Sequence, residues 1–228
     1  MIPRVTHWAH TRFGSHFLRE KTVLRPTWKF LLGLLVALAL FLGLTGGYWM
    51  RVAARSLVHV GPVKKADALV VDPLETHYIL FERAGRMMRH GLARRVITPV
   101  VAPREDLLNP GGSVPIGIVQ LMCRAARIEN PEIIAIRERE PITLTAALQI
   151  RDYLVAEGIG SVTIVTHCFR SQRTWLAYRK VMAEKGITVY CAPVCGPDMV
   201  ETWHRSLHGL QEVSEEWVKY WYYRLVVL

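Results

Sequence analysis

The sequence predicts an α/β protein in which a parallel sheet with flanking helices follows one N-terminal transmembrane helix. Residues 30–50 carry no charged side chain. From residue 66 onward, short segments rich in β-branched residues alternate with longer segments of helical periodicity. Gly91, Gly158 and Gly186 follow three of the helical segments, where glycine commonly ends a helix. This alternation calls for parallel βαβ units, and roughly 160 residues are enough to cover a sheet on both faces.

The uncharged run from Phe30 to Met50 is long enough to cross a bilayer, which takes roughly 20 apolar residues. Trp28 precedes it, and Tyr48 and Trp49 close it, as expected of rings at the headgroup level. A cleaved signal peptide is the alternative, but its apolar core is usually only about 7–15 residues long. Gly46-Gly47-Tyr48-Trp49 is also a poor cleavage context. We therefore expect an uncleaved single-pass anchor.

Basic residues predict the orientation of this anchor. The arm formed by residues 1–29 has a single acid, Glu20, and its Lys and Arg residues are Arg4, Arg12, Arg19, Lys21, Arg25 and Lys29. The far side offers Arg51, Arg55, Lys64 and Lys65. Because basic residues favour the cytoplasmic side, we expect a cytoplasmic arm and an external C-terminal domain.

The formal net charge of +10 and the pI near 9.8 raise the question of nucleic-acid binding. Much of the excess lies in the arm beside the span, where anionic lipid headgroups are the expected partner. No zinc-finger or basic-zipper pattern is present in the sequence. The lipid bilayer, and no nucleic acid, is therefore the predicted partner of these charges.

The predicted organisation is an arm at 1–29, a span at 30–50, a connector at 51–65 and an α/β domain at 66–228. The predicted strands are 67–72, 95–101, 132–136, 161–166 and 187–192, and the predicted helices are 75–90, 114–127, 143–157, 171–185 and 201–228. Ligands of such sheets bind beyond the carboxyl ends of the strands. The loops after Val71, Val101, Ile136 and Thr166 are therefore where a site is expected.

Several short motifs keep a recognisable order along the chain. They are the strand Ala66–Val71, Arg83-Ala84, Gly91, Arg95-Val-Ile, Thr143–Ala147, the run Val165–Arg173, and Trp203, Gly209 and Glu215. Over roughly residues 64–223 the chain resembles the SanA/ElyC/YdcF-like family of bacterial envelope proteins. The resemblance implies a Rossmann-like domain anchored in the inner membrane and facing the periplasm. It also implies a link to envelope integrity, peptidoglycan or lipid-carrier metabolism.

Three positions depart from the family pattern. The family's glycine-rich turn after the first strand is replaced by Asp72-Pro73-Leu74-Glu75. Its Tyr-His pair after the Val-Thr strand is replaced by Phe169-Arg170. Its acidic or amide residue in the middle helix is replaced by alanine, at Ala146 or Ala147. The resemblance therefore implies a degenerate site.

Arg170, Ser171 and Arg173 form the predicted anion-binding site. They follow a predicted strand and open a predicted helix, where free amides and the helix dipole favour anions. Guanidinium groups add bidentate donors for phosphate or carboxylate. The alternative is a solvated basic face that continues to Arg179 and Lys180.

Two other groups of polar residues are weaker candidates. Asp72 and Glu75, with His77, are either an acidic loop with catalytic or cation-binding roles or a simple helix cap. His204 and His208 are four apart on a predicted helix, in a face that Glu201 and Glu212 extend. Zinc would need a further ligand there, so a polar helix face is the default and no metal is predicted.

His167 and Cys168 end the clearest predicted strand, where adjacent side chains point to opposite faces. They cannot form a dyad with each other, so a packed or partly exposed side chain is expected at each position. The four cysteines are Cys123, Cys168, Cys191 and Cys195. Disulfides are permitted outside the cytoplasm, and Cys168 and Cys191 both end predicted strands, but buried free thiols are slightly favoured.

The C-terminal segment is rich in aromatic residues, namely Trp217, Tyr220, Trp221, Tyr222 and Tyr223. They form either a packing stripe on the domain or an interfacial belt on the bilayer. No Walker loop, GxSxG elbow, kinase signature or CxxC pair occurs in the sequence, and no cofactor is predicted.

Two functions follow from these observations. The first is a non-catalytic accessory or binding subunit, whose partners are other membrane-protein subunits. The second is an envelope enzyme or binding protein acting on a phosphate-bearing cell-wall or lipid-carrier precursor. The departures from the family pattern favour the first.

Overall fold

A computed structural model describes residues 27–72, 77–101, 114–137 and 139–228 of the chain. The chain forms two compact units, Met1–Gly46 and Gly47–Leu228. Most of the predicted arm, residues 1–26, lies outside the described residues, as do Glu75 and the rest of the loop at 73–76.

Helix α1 spans Trp28–Leu57 and is long and apolar enough to cross a membrane. In the most apolar stretch of 18 residues, no residue is buried inside the protein, as expected of a segment surrounded by lipid. The predicted span ends at Met50, but the helix continues to Leu57. Residues 51–57, which were assigned to a connector, are thus helical, and Ala54 and Leu57 are buried in the second unit.

The second unit contains a five-stranded parallel sheet in the order β3-β2-β1-β4-β5, which confirms the α/β prediction. The strands are β1 Ala68–Val71, β2 Arg95–Val101, β3 Glu132–Ile136, β4 Ser161–His167 and β5 Thr188–Val194. The helices that follow them are α2 Tyr78–Arg89, α3 Val114–Ala125, α4 Ile142–Ala156 and α5 Ser171–Ala183. The C-terminal elements are α6 Met199–Thr202, a 3₁₀ helix Trp203–Arg205, α7 Leu207–Tyr222 and a π-helical turn Tyr223–Val227.

The strand pattern follows from burial. All four residues of the central strand β1 are buried between the helical layers, so the strand is continuously apolar rather than alternating. Gly91, Gly158 and Gly186 adopt positive φ angles of 68°, 66° and 69° just after α2, α4 and α5. This left-handed conformation ends the helices where the sequence predicts, because glycine adopts it without steric cost.

Strand order reverses between β1 and β4. The chain builds β1, β2 and β3 outward on one side, and then places β4 on the other side of β1. The connections on the two sides of such a reversal diverge and leave a crevice at the carboxyl ends of the two strands. In this protein, the crevice lies beyond Val71 of β1 and His167 of β4.

The last turns of α1 belong to the core of the second unit. Ala54 and Leu57 pack with Phe169, Trp203 and other apolar residues, Val213 and Tyr220. The indole nitrogens of Trp203 and Trp217 each donate a hydrogen bond of 3.1 Å, to the carbonyl oxygens of Met50 and Ala53.

The C-terminal segment 201–228 is not one continuous helix, contrary to prediction. The chain is extended at Ser206, whose side chain accepts a hydrogen bond from the amide of Gly209 at 3.0 Å and begins α7. A Cβ at position 209 would lie 2.2 Å from the carbonyl oxygen of Trp203. Glycine is therefore required where α7 passes the preceding turn.

Candidate functional site

A cleft of about 610 Å³ opens at the carboxyl ends of β1 and β4. Its lining residues are His77, His167, Arg170, His208, Gln211, Glu212, Glu215, Glu216 and Lys219. His167 ends β4 and His77 directly precedes α2, whereas the residues from His208 onward belong to α7. The strand reversal thus supplies one wall of the cleft, and α7 supplies the other.

His167 and Glu212 form a pair inside this cleft. His167 Nδ1 lies 2.8 Å from Glu212 Oε1, and the two side chains are only 23% and 18% exposed. The ring centroid of His77 is 6.1 Å from that of His167. A carboxylate at Nδ1 favours the tautomer with its proton on that nitrogen and leaves Nε2 as the ring's acceptor. The sequence interpretation of His167 as a packed or partly exposed side chain missed this pair because Glu212 comes from a distant helix.

Arg173 does not face the cleft, although it was assigned to the anion site. Its side chain is 4% exposed and is bonded to Glu216, which is 5% exposed. Arg173 Nη2 donates to both carboxylate oxygens, at 3.0 and 2.8 Å, and Nε donates to Oε2 at 3.0 Å. Such bidentate pairing is the strongest arrangement that a guanidinium makes.

The remaining guanidinium nitrogen of Arg173, Nη1, also bonds within the protein. Arg173 Nη1 donates to Thr143 Oγ1 at 2.6 Å, and the guanidinium carbon lies 5.2 Å from the centre of the Tyr223 ring. The hydroxyl of Tyr223 accepts a hydrogen bond from the Thr143 amide at 3.1 Å. Arg173 therefore joins α5 to α4, α7 and the C-terminal turn.

Ser171 is likewise occupied by the chain itself. Its hydroxyl donates to the carbonyl of Cys168 at 2.6 Å and accepts from the amide of His59 at 2.9 Å. Arg170 alone among the three predicted anion-site residues lines the cleft, with its Nε 3.5 Å from Glu216 Oε1. Ser171 and Arg173 are thus bonded within the chain and stabilise the fold. Arg170 and Arg173 both pair with Glu216, and both line a second cavity of about 400 Å³.

Asp72 ties the two central strands together. It is buried, and Thr166 Oγ1 donates a hydrogen bond of 2.5 Å to its Oδ2. The backbone amide of Asp72 donates to the carbonyl of Val165 at 2.9 Å. Its predicted companion Glu75 lies outside the described residues.

His204 and His208 do not share one helix face. His204 lies on the 3₁₀ helix with its ring 5.9 Å from that of Trp203, whereas His208 lies on α7 and lines the cleft. The extended residue Ser206 separates them, which removes the predicted i,i+4 geometry. Within the ranges that the structure describes, no group of three or more His, Cys, Asp or Glu side chains could hold a metal ion.

The cysteines correct a further expectation. Cys168 forms a disulfide with Cys195 and not with Cys191, so the expectation of free thiols is wrong for this pair. Cys123 and Cys191 are free and buried. Burial raises the pKa of both thiols, and the nearby Asp72 charge adds to the rise at Cys191. A buried thiol with a raised pKa is a poor nucleophile, so neither cysteine is a catalytic candidate.

The charges of the cleft nearly balance. Glu212, Glu215 and Glu216 face Arg170 and Lys219, and the three histidines add polar rings. Lys219 Nζ lies 2.5 Å from Glu215 Oε1, and this hydrogen bond and charge lower the pKa of the Glu215 carboxyl. A smaller cavity of about 400 Å³ also contains Arg170 and Lys219 in its lining and extends past Thr143 and Tyr222. This arrangement can hold a polar ligand.

No protein-family model matches the chain, and no curated protein or solved structure matches it. The resemblance to the SanA/ElyC/YdcF-like family therefore stays a prediction.

Proposed function

We propose that this chain is a membrane-anchored cell-envelope protein of the SanA/ElyC/YdcF-like type, acting as a non-catalytic accessory or binding subunit of a membrane assembly. The strand order β3-β2-β1-β4-β5 supports a Rossmann-like domain, since five parallel strands with this reversal are typical of that fold. The apolar helix α1 supports the membrane anchor.

The single observation that carries the accessory function is the internal use of the turn between β4 and α5. Arg173 is bonded to Glu216 and Thr143, and the Ser171 hydroxyl is bonded to Cys168 and His59. An anion-binding turn keeps such donors open to its ligand. Here the same donors fix α5 to its neighbours, in keeping with a scaffold and not a catalytic turn.

The compartment is part of the proposal. The basic arm favours a cytoplasmic N-terminus at the bacterial inner membrane and a periplasmic domain. The Cys168–Cys195 disulfide supports the same orientation, because disulfides persist in the periplasm and are rare in the cytosol.

Purification of the full chain from its own membranes in mild detergent tests the accessory function. We expect a stable complex with at least one other membrane protein at fixed stoichiometry. A wild-type chain that runs as a lone monomer would refute the accessory function.

A second function is favoured by the His167–Glu212 pair beside Arg170. In this alternative the protein is an envelope enzyme or binding protein acting on a phosphate-bearing cell-wall or lipid-carrier precursor. Arg170 would bind phosphate oxygens, and Nε2 of His167 would accept a proton from an attacking water. Glu212 would hold the imidazole and stabilise its charged form.

Two single substitutions separate the two functions. His167→Gln and Arg170→Gln keep polar side chains in the cleft and leave the Arg173–Glu216 pair intact. Arg179→Gln, at an exposed arginine of α5, is the control. If the cleft variants abolish function in cells while folding and membrane insertion persist, the second function is supported. Wild-type behaviour of both variants supports the accessory function.

A further inference from the structure

We infer that the outer face of α7 and the turn after it rests on the anionic interface of the lipid bilayer. This outer face is defined by its exposed apolar side chains: Leu207, Leu210, Val218, Trp221, Tyr222, Leu225 and Val226. The aromatic residues of this segment thus divide into two groups. Tyr220 and Tyr223 are buried in the domain, whereas Trp221 and Tyr222 belong to the outer face.

The outer face has helical spacing, with Leu207 and Leu210 at one end, the polar residue Ser214 between, and the apolar residues from Val218 onward at the other end. Leu207, Val218 and Leu225 are 74%, 72% and 75% exposed, at positions separated by whole numbers of turns. The opposite face of α7 is the one that packs on the domain, through Gly209, Val213, Glu216 and Tyr220. A surface helix normally presents polar residues to water. Here the helix presents large apolar side chains instead, which marks an interaction surface.

The contacts of α7 with α1 identify the bilayer as the occupant. Trp217 of α7 donates to the carbonyl of Ala53, and Trp203 donates to that of Met50. Met50 is the last residue of the uncharged run. The α7 region is therefore bonded to the chain within a few residues of the point where the predicted span ends. An apolar face on a segment that is hydrogen-bonded to the chain just after a membrane span has lipid within reach.

Basic side chains flank the outer face. Arg224 lies on the same segment and shares a cleft of about 750 Å³ with Arg179 and Lys180 of α5. Arg224 also lies 5.9 Å from the centre of the Trp221 ring. Apolar and aromatic residues with a basic border are typical of helices that lie in the interface of anionic membranes.

Spin labels on the full-length protein in lipid nanodiscs test this inference. Labels are attached at Val218→Cys and Leu225→Cys, with Lys185→Cys after α5 as the exposed control. The native cysteines are buried or disulfide-bonded and should not label in the folded protein. The nanodiscs contain phosphatidylcholine with about a quarter phosphatidylglycerol, to supply anionic headgroups.

We expect the ratio of collision rates with oxygen and with a water-soluble nickel complex to be at least about threefold higher at both α7 positions than at the control, since oxygen concentrates in lipid. Equal ratios at all three positions would overturn the inference. Spin–spin broadening that disappears on mixing with unlabelled protein would show that a second copy covers the face, and would overturn it too.

Discussion

Arg173 and Glu216 form a buried ion pair that joins α5 to α7. Two charges removed from water are costly, and their bidentate hydrogen bonds and the Thr143 contact offset that cost. The pair therefore stabilises the fold only while both partners are present. Removing one partner of the pair is therefore a sensitive test of whether Arg173 and Glu216 are buried together.

Replacing Glu216 by leucine should lower the free energy of unfolding by about 3–5 kcal/mol, because it leaves the Arg173 charge buried without its partner. The matched control is Glu215→Gln on the next residue, whose side chain is 64% exposed and pairs with Lys219. That substitution should cost about 1 kcal/mol or less. Denaturant unfolding in detergent micelles measures both, and equal losses would show that Glu216 is not buried with Arg173.

His59 predicts a pH dependence of stability. Burial lowers its pKa below the ordinary 6.5, more than the hydrogen bond with Gln172 raises it, and the Arg179 charge lowers it further. The unfolded chain therefore binds the proton more readily than the folded protein. The contribution of His59 is complete above the unfolded pKa and is lost as the pH falls through the folded pKa.

The His59→Phe variant keeps an aromatic ring against Trp175, 4.3 Å away in the native stack, but cannot be protonated. Between pH 8 and pH 5, we expect the melting temperature of the wild type to fall more steeply than that of the variant. Parallel curves would contradict a lowered pKa at His59.

The sequence located the turn between β4 and α5 correctly but not the bonds its residues make. The position of Arg170, Ser171 and Arg173 after a strand follows from local periodicity. Their partners come from α7 and from the segment after α1, and no local pattern encodes such distant contacts. The burial of Glu216 on α7 could not be predicted, because nothing in the sequence distinguishes it from the exposed Glu215 beside it.

At the scale of elements, the end of α1 is part of the domain core. Leu57 is almost fully buried and packs in the cluster with Phe169 and Trp203. Leu57→Ala should therefore cost about 2–5 kcal/mol, through lost burial and the cavity left behind. Val60, which is 91% exposed three residues further on, provides the control. If Val60→Ala destabilised the protein as much as Leu57→Ala, the packing of α1 on the domain would be wrong.

The disulfide ties the end of β4 to the segment after β5. Alkylation of the unfolded, unreduced protein should label Cys123 and Cys191 and leave Cys168 and Cys195 unmodified. Cys195→Ser should lower the free energy of unfolding by about 2–4 kcal/mol, because the unfolded chain loses a constraint. Labelling of all four cysteines before reduction, in protein isolated from its own membrane, would contradict a periplasmic domain.

The sequence was a good guide to elements and a poor guide to their limits. Glycines at positive φ marked the ends of three helices, because few other residues adopt that conformation. The continuation of α1 from Met50 to Leu57 was not predicted, because an apolar run indicates the length of a membrane span but not the end of the helix that contains it. The break at Ser206 had a local signal, a serine that can begin a helix, which the aromatic pattern of the segment concealed.

The whole molecule consists of an apolar N-terminal helix followed by an α/β domain with a five-stranded parallel sheet. The cleft at the β1–β4 reversal lies where ligands of such sheets bind, as the sequence predicted. One wall of that cleft is α7, whose neighbour Trp203 and whose own Trp217 are bonded to α1. The place of α7 in the cleft could not be assigned from sequence, because α7 reaches the cleft through tertiary contacts.

Fractionation of cells that express the full chain tests the membrane anchor, on which every proposal about compartment and partner depends. We expect the intact, uncleaved polypeptide to stay with the membrane after washing with alkaline carbonate and to dissolve only in detergent. Mass spectrometry of that fraction should show a chain that still contains residues 28–50. Recovery of the intact chain, or of a chain cleaved before Met50, in the soluble fraction without detergent would contradict the account.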